Sequence, residues 1–410
     1  MKRYLISNLH AFALALLCVV SLNPFYVWGN YQLYYSLAFF LLITTGFIFY
    51  KKLLFFPWQP VFLAIFFVFL STYFYLLGAS MAGMVAFALS ACYVYAIPEI
   101  DRVKGFIYFR NLIAIIMVPG IFIWLAHLLL GDTTLFQIGQ ISDDFNPSQL
   151  KVALGENYIK FPFAVALDYM LITPGYRFCG PFDEPGLTGT IAALLLAADK
   201  YNIKSPYNAV LLIAGIISLS LAFYFLAALY LIAISLRRVK AFIISILLVT
   251  VLGLVFSQID FFSTAVLARI SFDGGSLVGD NRVGGSLANA VAIWQSSNAR
   301  ELIFGLDSFV HDGSSSWKQI PVQSGLLGIF LIITIIAMLH LRFSRQINHT
   351  SAVFLLVFIA SIYQRPDVVK PAFIVILAGG LALSRVNTMR TACLSQMRIF
   401  NGSLKRYEGF

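Results

Sequence analysis

Residues 176–198 read YRFCGPFDEPGLTGTIAALLLAA, in which a loop with charged and turn-forming residues runs directly into an apolar segment. Similar apolar segments occupy most of the chain, since 60% of the 410 residues are hydrophobic and 11% are charged. The mean hydropathy is +0.86. A soluble domain has roughly 25% charged residues, and about 20 apolar residues cross a bilayer as one helix. The composition therefore predicts an integral membrane protein.

Short polar segments divide the chain into apolar runs, which predict an all-α fold: a polytopic membrane helix bundle of about 12 transmembrane helices. We expect 1–410 to form one membrane domain with a tail at 387–410. Two connections are long, 131–183 and 258–319, and long loops in compact proteins commonly have functions. The predicted spans are 4–22, 31–50, 53–77, 79–97, 111–130, 184–198, 206–219, 220–236, 241–257, 320–341, 351–363 and 371–386.

The basic residues predict the orientation, because Lys and Arg are retained on the cytoplasmic side whereas acidic residues contribute little. With both termini in the cytoplasm, 19 of the 28 basic residues but 4 of the 18 acidic residues lie inside. Both long loops then lie outside. Basic residues on both flanks of 206–236 predict a hairpin of two short helices that turns near Ser218-Leu219-Ser220. The net charge of +10 is explained by topology, and no nucleic-acid partner is expected.

Arg177, Asp183 and Glu184 are the candidate site residues of the first long loop. The glycines and prolines around them fix turns, so the two carboxylates are expected beside the N-terminus of a helix, where negative charge is favourable. An ordinary acidic helix start is one interpretation. The functional interpretation is that Glu184 enters an apolar span, where a carboxylate is costly unless it is paired. A partly desolvated carboxylate suits a general base.

The second long loop contains Arg269, Arg282, Arg300 and His311. Arginines on the outer side are not explained by the orientation rule, and the guanidinium group binds phosphate oxygens in a bidentate fashion. We therefore predict a diphosphate-binding role for them. His311 is either a solvated residue or an acid–base group. Since the sequence has no nucleotide-type glycine loop and no His/Cys cluster with metal spacing, no cofactor or metal is expected.

Aromatic residues are interspersed with polar ones in both loops, as at Tyr158, Phe161, Phe163, Phe304 and Trp317. Rings and planar polar side chains in this combination suit sugar binding. The alternative is an aromatic belt at the membrane interface. The sequence does not separate these two interpretations.

The pattern Arg-x-x-Gly-x-Phe-x-Glu-Pro-Gly-x-x-Gly at 177–189 resembles the loop-to-helix segment of the bacterial O-antigen and capsule polymerases called Wzy. These belong to the same superfamily as the O-antigen ligase WaaL. Ile303-Phe304-Gly305, His311 and Gly325-Leu326-Leu327-Gly328 are similar to the glycine–histidine–glycine pattern of that superfamily. Two features differ: Asp312 follows the histidine, and neither loop has the Arg-x10-Gly repeat of some polymerases.

The resemblance implies a metal-independent glycosyltransferase of GT-C type in the bacterial inner membrane. Such a polymerase joins undecaprenyl-diphosphate-linked repeat units on the periplasmic side without a cofactor. Its implied partners are the undecaprenyl-diphosphate-linked oligosaccharide, membrane lipid, and a chain-length regulator and flippase of the same pathway. The implied catalytic residues are Glu184, Arg177 and His311. The implied residues for diphosphate or glycan binding are Arg269, Arg282, Arg300 and Asp183.

Three alternatives remain from the sequence. An O-antigen ligase would transfer the finished glycan to lipid A core by nearly the same chemistry, although the Glu184-Pro185 pair favours a polymerase. A lipid-linked oligosaccharide flippase or transporter fits the number of spans, but such proteins have ionisable residues near the bilayer midplane. A non-catalytic scaffold or receptor is the third alternative, which the embedded Arg and Glu residues disfavour.

Overall fold

A computed structural model describes the chain over residues 2–49, 59–76, 81–131, 137–140, 158–167, 177–258, 272–273, 276–277, 285–306, 316–343, 348–363, 365 and 369–383. These residues form fourteen α-helices and five short strands. The helices are α1 Lys2–Ser21, α2 Tyr31–Phe49, α3 Gln59–Leu76, α4 Met81–Ala96, α5 Glu99–Leu130, α6 Pro185–Ala198, α7 Pro206–Ile217, α8 Leu221–Ser235, α9 Val239–Ser257, α10 Gly285–Gln295, α11 Ala299–Phe304, α12 Gln319–Phe343, α13 His349–Ile362 and α14 Pro371–Leu383.

Each of the twelve predicted spans overlaps one of these helices, and α10 and α11 lie within the second long loop. Three helices are long and apolar enough to cross a membrane, over Tyr31–Ile48, Glu99–Leu130 and Gln319–His340. The other apolar helices of the described chain provide segments of 10–17 residues. The structure therefore supports a helical membrane protein.

Helix α5 is longer than predicted, since it begins at Glu99 and not at 111. Five charged residues between 99 and 110 lower the local hydropathy, which is why the apolar run alone did not include them. Pro98 precedes the helix, and Glu99 and Asp101 lie in its first turn, where negative charge is favourable. Arg102 and Arg110 on the same segment are buried among the neighbouring helices.

Two short helices, α6 and α14, form the centre of the bundle. Every residue of α6 is buried, and so are residues 371–382 of α14. A helix that is apolar on all sides is expected to be enclosed by others, and α6 packs against α7, α8 and α13. At Gly380 of α14, an added Cβ would lie 2.9 Å from the Cβ of Ala198 in α6. The lack of a side chain there allows the two helices to approach closely.

One end of the bundle, which we call the loop end, is made of residues 22–30, 177–184, 218–220, 316–318 and 363–370 where described. Backbone hydrogen bonds join these segments to one another: Phe25 N to Pro181 O at 2.9 Å, Phe178 N to Ile217 O at 3.1 Å and Trp317 N to Tyr363 O at 3.3 Å. The predicted turn at 218–220 is confirmed, since it links α7 to α8. The loop end is the side that the basic residues predict to be extracytoplasmic.

The opposite end, which we call the basic end, includes residues 2–10, 99–110, 199–208, 234–240 and 348–349. Lys104 Nζ donates a hydrogen bond to Ser7 Oγ at 2.8 Å, and Arg110 forms an ion pair with Asp199. The ring nitrogen Nε2 of His349 lies 3.2 Å from the carbonyl oxygen of Ile234. These contacts fasten the helix ends that the orientation rule predicts to face the cytoplasm.

A small antiparallel sheet at the loop end was not predicted. Its strands are β1 Gly139–Gln140, β2 Tyr158–Phe161 and β3 Ala164–Leu167, in the order β1-β2-β3. Pro162 and Phe163 form the turn between β2 and β3, and Phe163 has a φ of +58°. Strand β3 packs on α5, where Gly120 lies against Ala164. A second pair, β4 Phe272–Asp273 and β5 Ser276–Leu277, lies in the second loop.

Candidate functional site at the loop end

The loop 177–184 is held in one conformation by hydrogen bonds to its carbonyl oxygens. The donors come from four different parts of the fold, so the loop is fixed by the bundle as a whole. They are Thr188 Oγ1 to Cys179 O, Val165 N to Gly180 O at 2.9 Å, Phe25 N to Pro181 O at 2.9 Å and Tyr158 Oη to Asp183 O at 3.1 Å. Buried carbonyl groups are stable only when they are paired in this way.

Apolar side chains anchor the same loop from within. Phe178 precedes the turn at Gly180 and Phe182 follows it, and both side chains are almost completely buried. Gly180 has a φ of +63°, which favours glycine. At Gly189, an added Cβ would lie 2.5 Å from the Cβ of Ser220. The glycines of this motif therefore permit the turn 218–220 to pack directly on the start of α6.

Glu184 occupies the position immediately before α6, with extended backbone and Pro185 as the first helical residue. Its carboxylate forms an ion pair with the guanidinium group of Arg365. Arg365 precedes α14, so the ion pair connects the chain segments that begin the two central helices. The Arg365 side chain is 8% exposed, whereas that of Glu184 is 26% exposed. The arginine of the pair is therefore shielded from solvent, whereas the carboxylate is partly accessible to it.

Two electrostatic interactions act on the Glu184 carboxylate. The guanidinium group of Arg365 provides a charge-assisted hydrogen bond, and the N-terminus of α6 has a partial positive charge. Both stabilise the ionised carboxylate. Since about a quarter of the side chain is exposed (26%), an oxygen of this carboxylate can accept a hydrogen bond from a hydroxyl group that enters the loop end.

The structure places the three first-loop candidates on one rigid segment. Arg177 begins the segment, and its Nε atom is inaccessible to solvent. Asp183 and Glu184 end the segment, and both side chains are partly buried. Glu184 lies at the start of a helix, as the simpler interpretation of these residues expects, and it is also paired with a buried arginine.

Arg365 was not among the residues that the sequence singled out. It lies in the sequence Gln364-Arg365-Pro366-Asp367, between the last two apolar runs. The orientation rule puts this connection outside, so the rule does not explain Arg365, just as it does not explain the second-loop arginines. A search of every outer connection for arginine, including the short ones, would have found it.

The second-loop candidates are tested only in part. Arg269, Arg282 and His311 lie outside the described residues. Arg300 lies in the first turn of α11, where it is exposed, and therefore it does not belong to the buried ion pair. The roles of all four residues remain predictions.

The two glycine motifs of the second loop are in direct contact. Gly305 and Gly325 have φ values of +95° and +62°, and Gly325 interrupts the helical geometry of α12. An added Cβ at Gly325 would lie 2.2 Å from the carbonyl oxygen of Ile303. Leu306 N also donates a hydrogen bond to Val322 O at 2.8 Å. The backbone after α11 therefore packs directly on the first turns of α12.

The aromatic residues of the loops have two different roles. Tyr158 and Phe161 are completely buried, and the ring of Tyr158 packs edge-on against Trp28 with centroids 5.1 Å apart. A sugar-binding role is therefore wrong for these two, which belong to the core beneath the loop end. Phe163, Phe304 and Trp317 are exposed, so the choice between sugar contact and membrane interface remains for them.

Comparison of the chain with protein families, with curated proteins and with solved structures finds no match.

Proposed function

We propose that this protein is a glycosyltransferase of lipid-linked sugars, an O-antigen or capsular polysaccharide polymerase of the bacterial inner membrane. In this proposal about 12 helices cross the membrane, both termini are cytoplasmic and the loop end faces the periplasm. The observation that supports it best is the ion pair between Glu184 and Arg365, at the end of the hydrogen-bonded loop that begins with Arg177. The substrates are undecaprenyl-diphosphate-linked oligosaccharides.

In the proposed reaction, a hydroxyl oxygen of one lipid-linked repeat unit attacks the anomeric carbon of another. A new glycosidic bond forms while the bond from the anomeric carbon to the diphosphate oxygen breaks. The electron pair of the broken bond leaves with undecaprenyl diphosphate. The Glu184 carboxylate accepts the proton of the attacking hydroxyl as general base. Arg177 stabilises the negative charge that develops on the departing diphosphate.

Arg365 has a positioning role in this scheme. Its guanidinium group is almost fully buried, so it is shielded from substrate by the Glu184 side chain and the surrounding helices. By holding one carboxylate oxygen it fixes the orientation of Glu184. The proposed diphosphate-binding roles of Arg269, Arg282 and Arg300, and the supporting role of His311, are carried over from the sequence as part of this proposal.

The distribution of charge favours an enzyme over a flippase. Transporters commonly bind substrates near the bilayer midplane with ionisable residues on broken helices. Here the two central helices α6 and α14 contain no charged residue. The ion pair of the site lies at the loop end, before either helix begins. This arrangement suits chemistry at the membrane surface better than passage through the bundle centre.

The test is the surface polysaccharide profile of a deletion strain that carries wild-type, Glu184→Gln, Arg177→Ala or, as a control carboxylate on α11, Glu301→Gln protein at equal membrane levels. We expect Glu184→Gln and Arg177→Ala to lose the polymer ladder while single repeats remain capped on lipid A core. Loss of all capped repeats with lipid-linked polymer would instead identify a ligase. Lipid-linked single units confined to the cytoplasmic face would identify a flippase, and a full ladder from both variants would refute the site.

A further inference from the structure

A groove of about 760 Å³ lies beside the loop end, between α1, α2, α5 and the β2–β3 hairpin. Its volume is within the roughly 300–1,000 Å³ of small-molecule sites. Its lining is apolar apart from the hydroxyl groups of Tyr26 and Tyr34 and the side chain of Lys160. A glycan needs many hydrogen-bonding partners, which this lining does not provide. A hydrocarbon chain needs none.

Lys160 is the single charged side chain among the described residues that line the groove. It lies on β2, at the hairpin rim, and it forms no ion pair with a described residue. The α1 side of the groove extends from Phe12 to Val20, which corresponds to about 12 Å along the helix. The groove thus has a long apolar wall and one cation at its loop-end rim. That combination is complementary to a lipid with an anionic head.

The groove is accessible from the lipid side of the bundle. Phe12 of α1 is 40% exposed and Leu37 of α2 is 55% exposed, and both belong to its lining. Exposed apolar residues on a membrane protein face hydrocarbon, so a lipid chain can reach the groove from the side of the bundle. Ala38, with its small side chain, lies in the same wall and leaves room for such a chain.

Two elements of the groove wall also contact the loop of the candidate site. The short 3₁₀ helix Phe25–Val27 forms part of the groove wall, and Phe25 N donates to the carbonyl of Pro181. Strand β2 contains both Lys160 and Tyr158, whose hydroxyl group donates to the carbonyl of Asp183. Two groove elements therefore hydrogen-bond directly to the loop that precedes Glu184. A lipid phosphate at Lys160 would lie on the side of the hairpin that supports this loop.

We propose that the groove binds the isoprenoid chain of a polyprenyl phosphate lipid and that Lys160 binds its phosphate. The proposal rests on the proposed function, because it assigns the lipid portion of the same substrate. It makes Lys160 a substrate-binding residue and Ala38 a residue that sets the space for the lipid chain. The competing occupant is an anionic phospholipid, whose head group is negatively charged like that of a polyprenyl phosphate.

The experiment is photolabelling of the purified full-length protein in nanodiscs with a diazirine-tagged polyprenyl phosphate, followed by mapping of the labelled peptides. We expect labels on α1, α2 and the hairpin 158–167, and competition by unlabelled polyprenyl phosphate but not by phosphatidylglycerol. Lys160→Gln should weaken labelling about fivefold, as expected for one cation at an anionic lipid surface worth about 1 kcal/mol. Ala38→Phe should abolish labelling by filling the groove.

Lys204→Gln and Ala352→Phe are matched controls, since both residues are exposed and lie away from the groove. Labelling that is unchanged in Lys160→Gln and Ala38→Phe, or equal competition by phosphatidylglycerol, would overturn the lipid assignment. Groove labelling in a protein whose Glu184→Gln variant still makes polymer would reject the catalytic role of Glu184 alone, and groove labelling together with an unchanged polymer ladder in the deletion strain itself would reject the proposed function alone. Loss of polymer in Glu184→Gln without groove labelling would reject the groove alone.

Discussion

Two arginine–carboxylate pairs lie at opposite ends of the bundle. At the basic end, Asp199 binds Arg110 and also accepts a hydrogen bond from Asn208 Nδ2 at 2.7 Å. The Asp199 side chain is 13% exposed, half the 26% of Glu184 in the loop-end pair. The basic-end carboxylate is enclosed by its partners, whereas the loop-end carboxylate retains an open side. In our proposal, the basic-end pair fastens helices and the loop-end carboxylate acts in the reaction.

The surroundings of the two arginines support this distinction. Arg110 donates to the side-chain oxygen of Asn111 from Nε and Nη2, at 3.1 and 2.8 Å, and lies 5.9 Å from the centre of the Tyr207 ring. Burial lowers the pKa of the neighbouring Lys200 ammonium, although the charge of Asp199 acts in the opposite direction. The basic end is thus a packed polar network. It joins α5 to the connection between α6 and α7.

The largest expected effect is on catalysis in Glu184→Gln. Loss of a general base typically lowers a rate by roughly 10²–10⁴-fold, so we expect polymer formation per membrane-inserted molecule to fall by that factor. Asp199→Asn, the equivalent change at the basic end, should leave this rate within about twofold of wild type because Asp199 is remote from the reaction. The measurement is incorporation of radiolabelled repeat units in membrane vesicles. Equal losses in both variants would remove the distinction between the pairs.

The second effect is on stability and is expected to be greater at the basic end. Removal of one partner from a buried ion pair costs about 3–5 kcal/mol, and Asp199 is the more enclosed carboxylate. Asp199→Asn should therefore lower the thermal midpoint of the detergent-solubilised protein more than Glu184→Gln does. Fluorescence-monitored unfolding of the two variants provides the comparison. A lower thermal midpoint for Glu184→Gln than for Asp199→Asn would show that the loop-end pair contributes more to stability.

The third prediction concerns the glycine contact that positions α12 at the loop end. Gly325→Ala introduces a Cβ at 2.2 Å from the Ile303 carbonyl in a left-handed backbone conformation, so it should cost more than about 1 kcal/mol and lower polymer formation. Gly253 on α9 is the control, because an added Cβ there has nothing within 4 Å. Gly253→Ala should be neutral or stabilising, by up to about 1 kcal/mol. Similar unfolding midpoints for Gly325→Ala and Gly253→Ala would contradict the close contact between Gly325 and the Ile303 carbonyl.

The smallest effect is expected for the hydrogen bond beneath Glu184. Tyr158→Phe removes the bond to the Asp183 carbonyl, at a cost of about 1 kcal/mol, and should lower polymer formation a few-fold by loosening the loop. Tyr35→Phe removes a comparable bond to Ser90, 2.8 Å long, away from the loop. It should cost similar stability without a change in rate. If Tyr158→Phe and Tyr35→Phe lowered the rate equally, the rate would depend on the stability of the whole bundle and not on the loop 177–184.

The positions of the helices follow from the sequence because hydrophobic runs are local signals. Every predicted span overlaps a helix, and the turn at 218–220 was predicted from basic residues on its flanks. The start of α5 was missed because its charges interrupt the apolar run. The β2–β3 hairpin was missed because its turn is Pro162-Phe163, without the Asn-Gly or Asp-Gly pair that marks a two-residue turn.

The candidate site was predicted in part for a related reason. Arg177, Asp183 and Glu184 are neighbours in sequence, so their common location required no knowledge of the fold. Arg365 is 181 residues away from Glu184, and their pairing depends on the parallel packing of α6 and α14. A sequence pattern can show that a carboxylate needs a partner. It cannot show which distant segment provides the partner.

The most direct test compares the two pairs after both charges of each are removed, so that neither variant contains an unpaired buried charge. The variants are Glu184→Gln/Arg365→Gln and Asp199→Asn/Arg110→Gln, examined for surface polymer in the deletion strain at equal membrane levels. We predict no polymer ladder from the loop-end double variant and a normal ladder from the basic-end double variant. A ladder of normal length from the loop-end double variant would contradict the central claim that Glu184, held in position by Arg365, acts in the reaction.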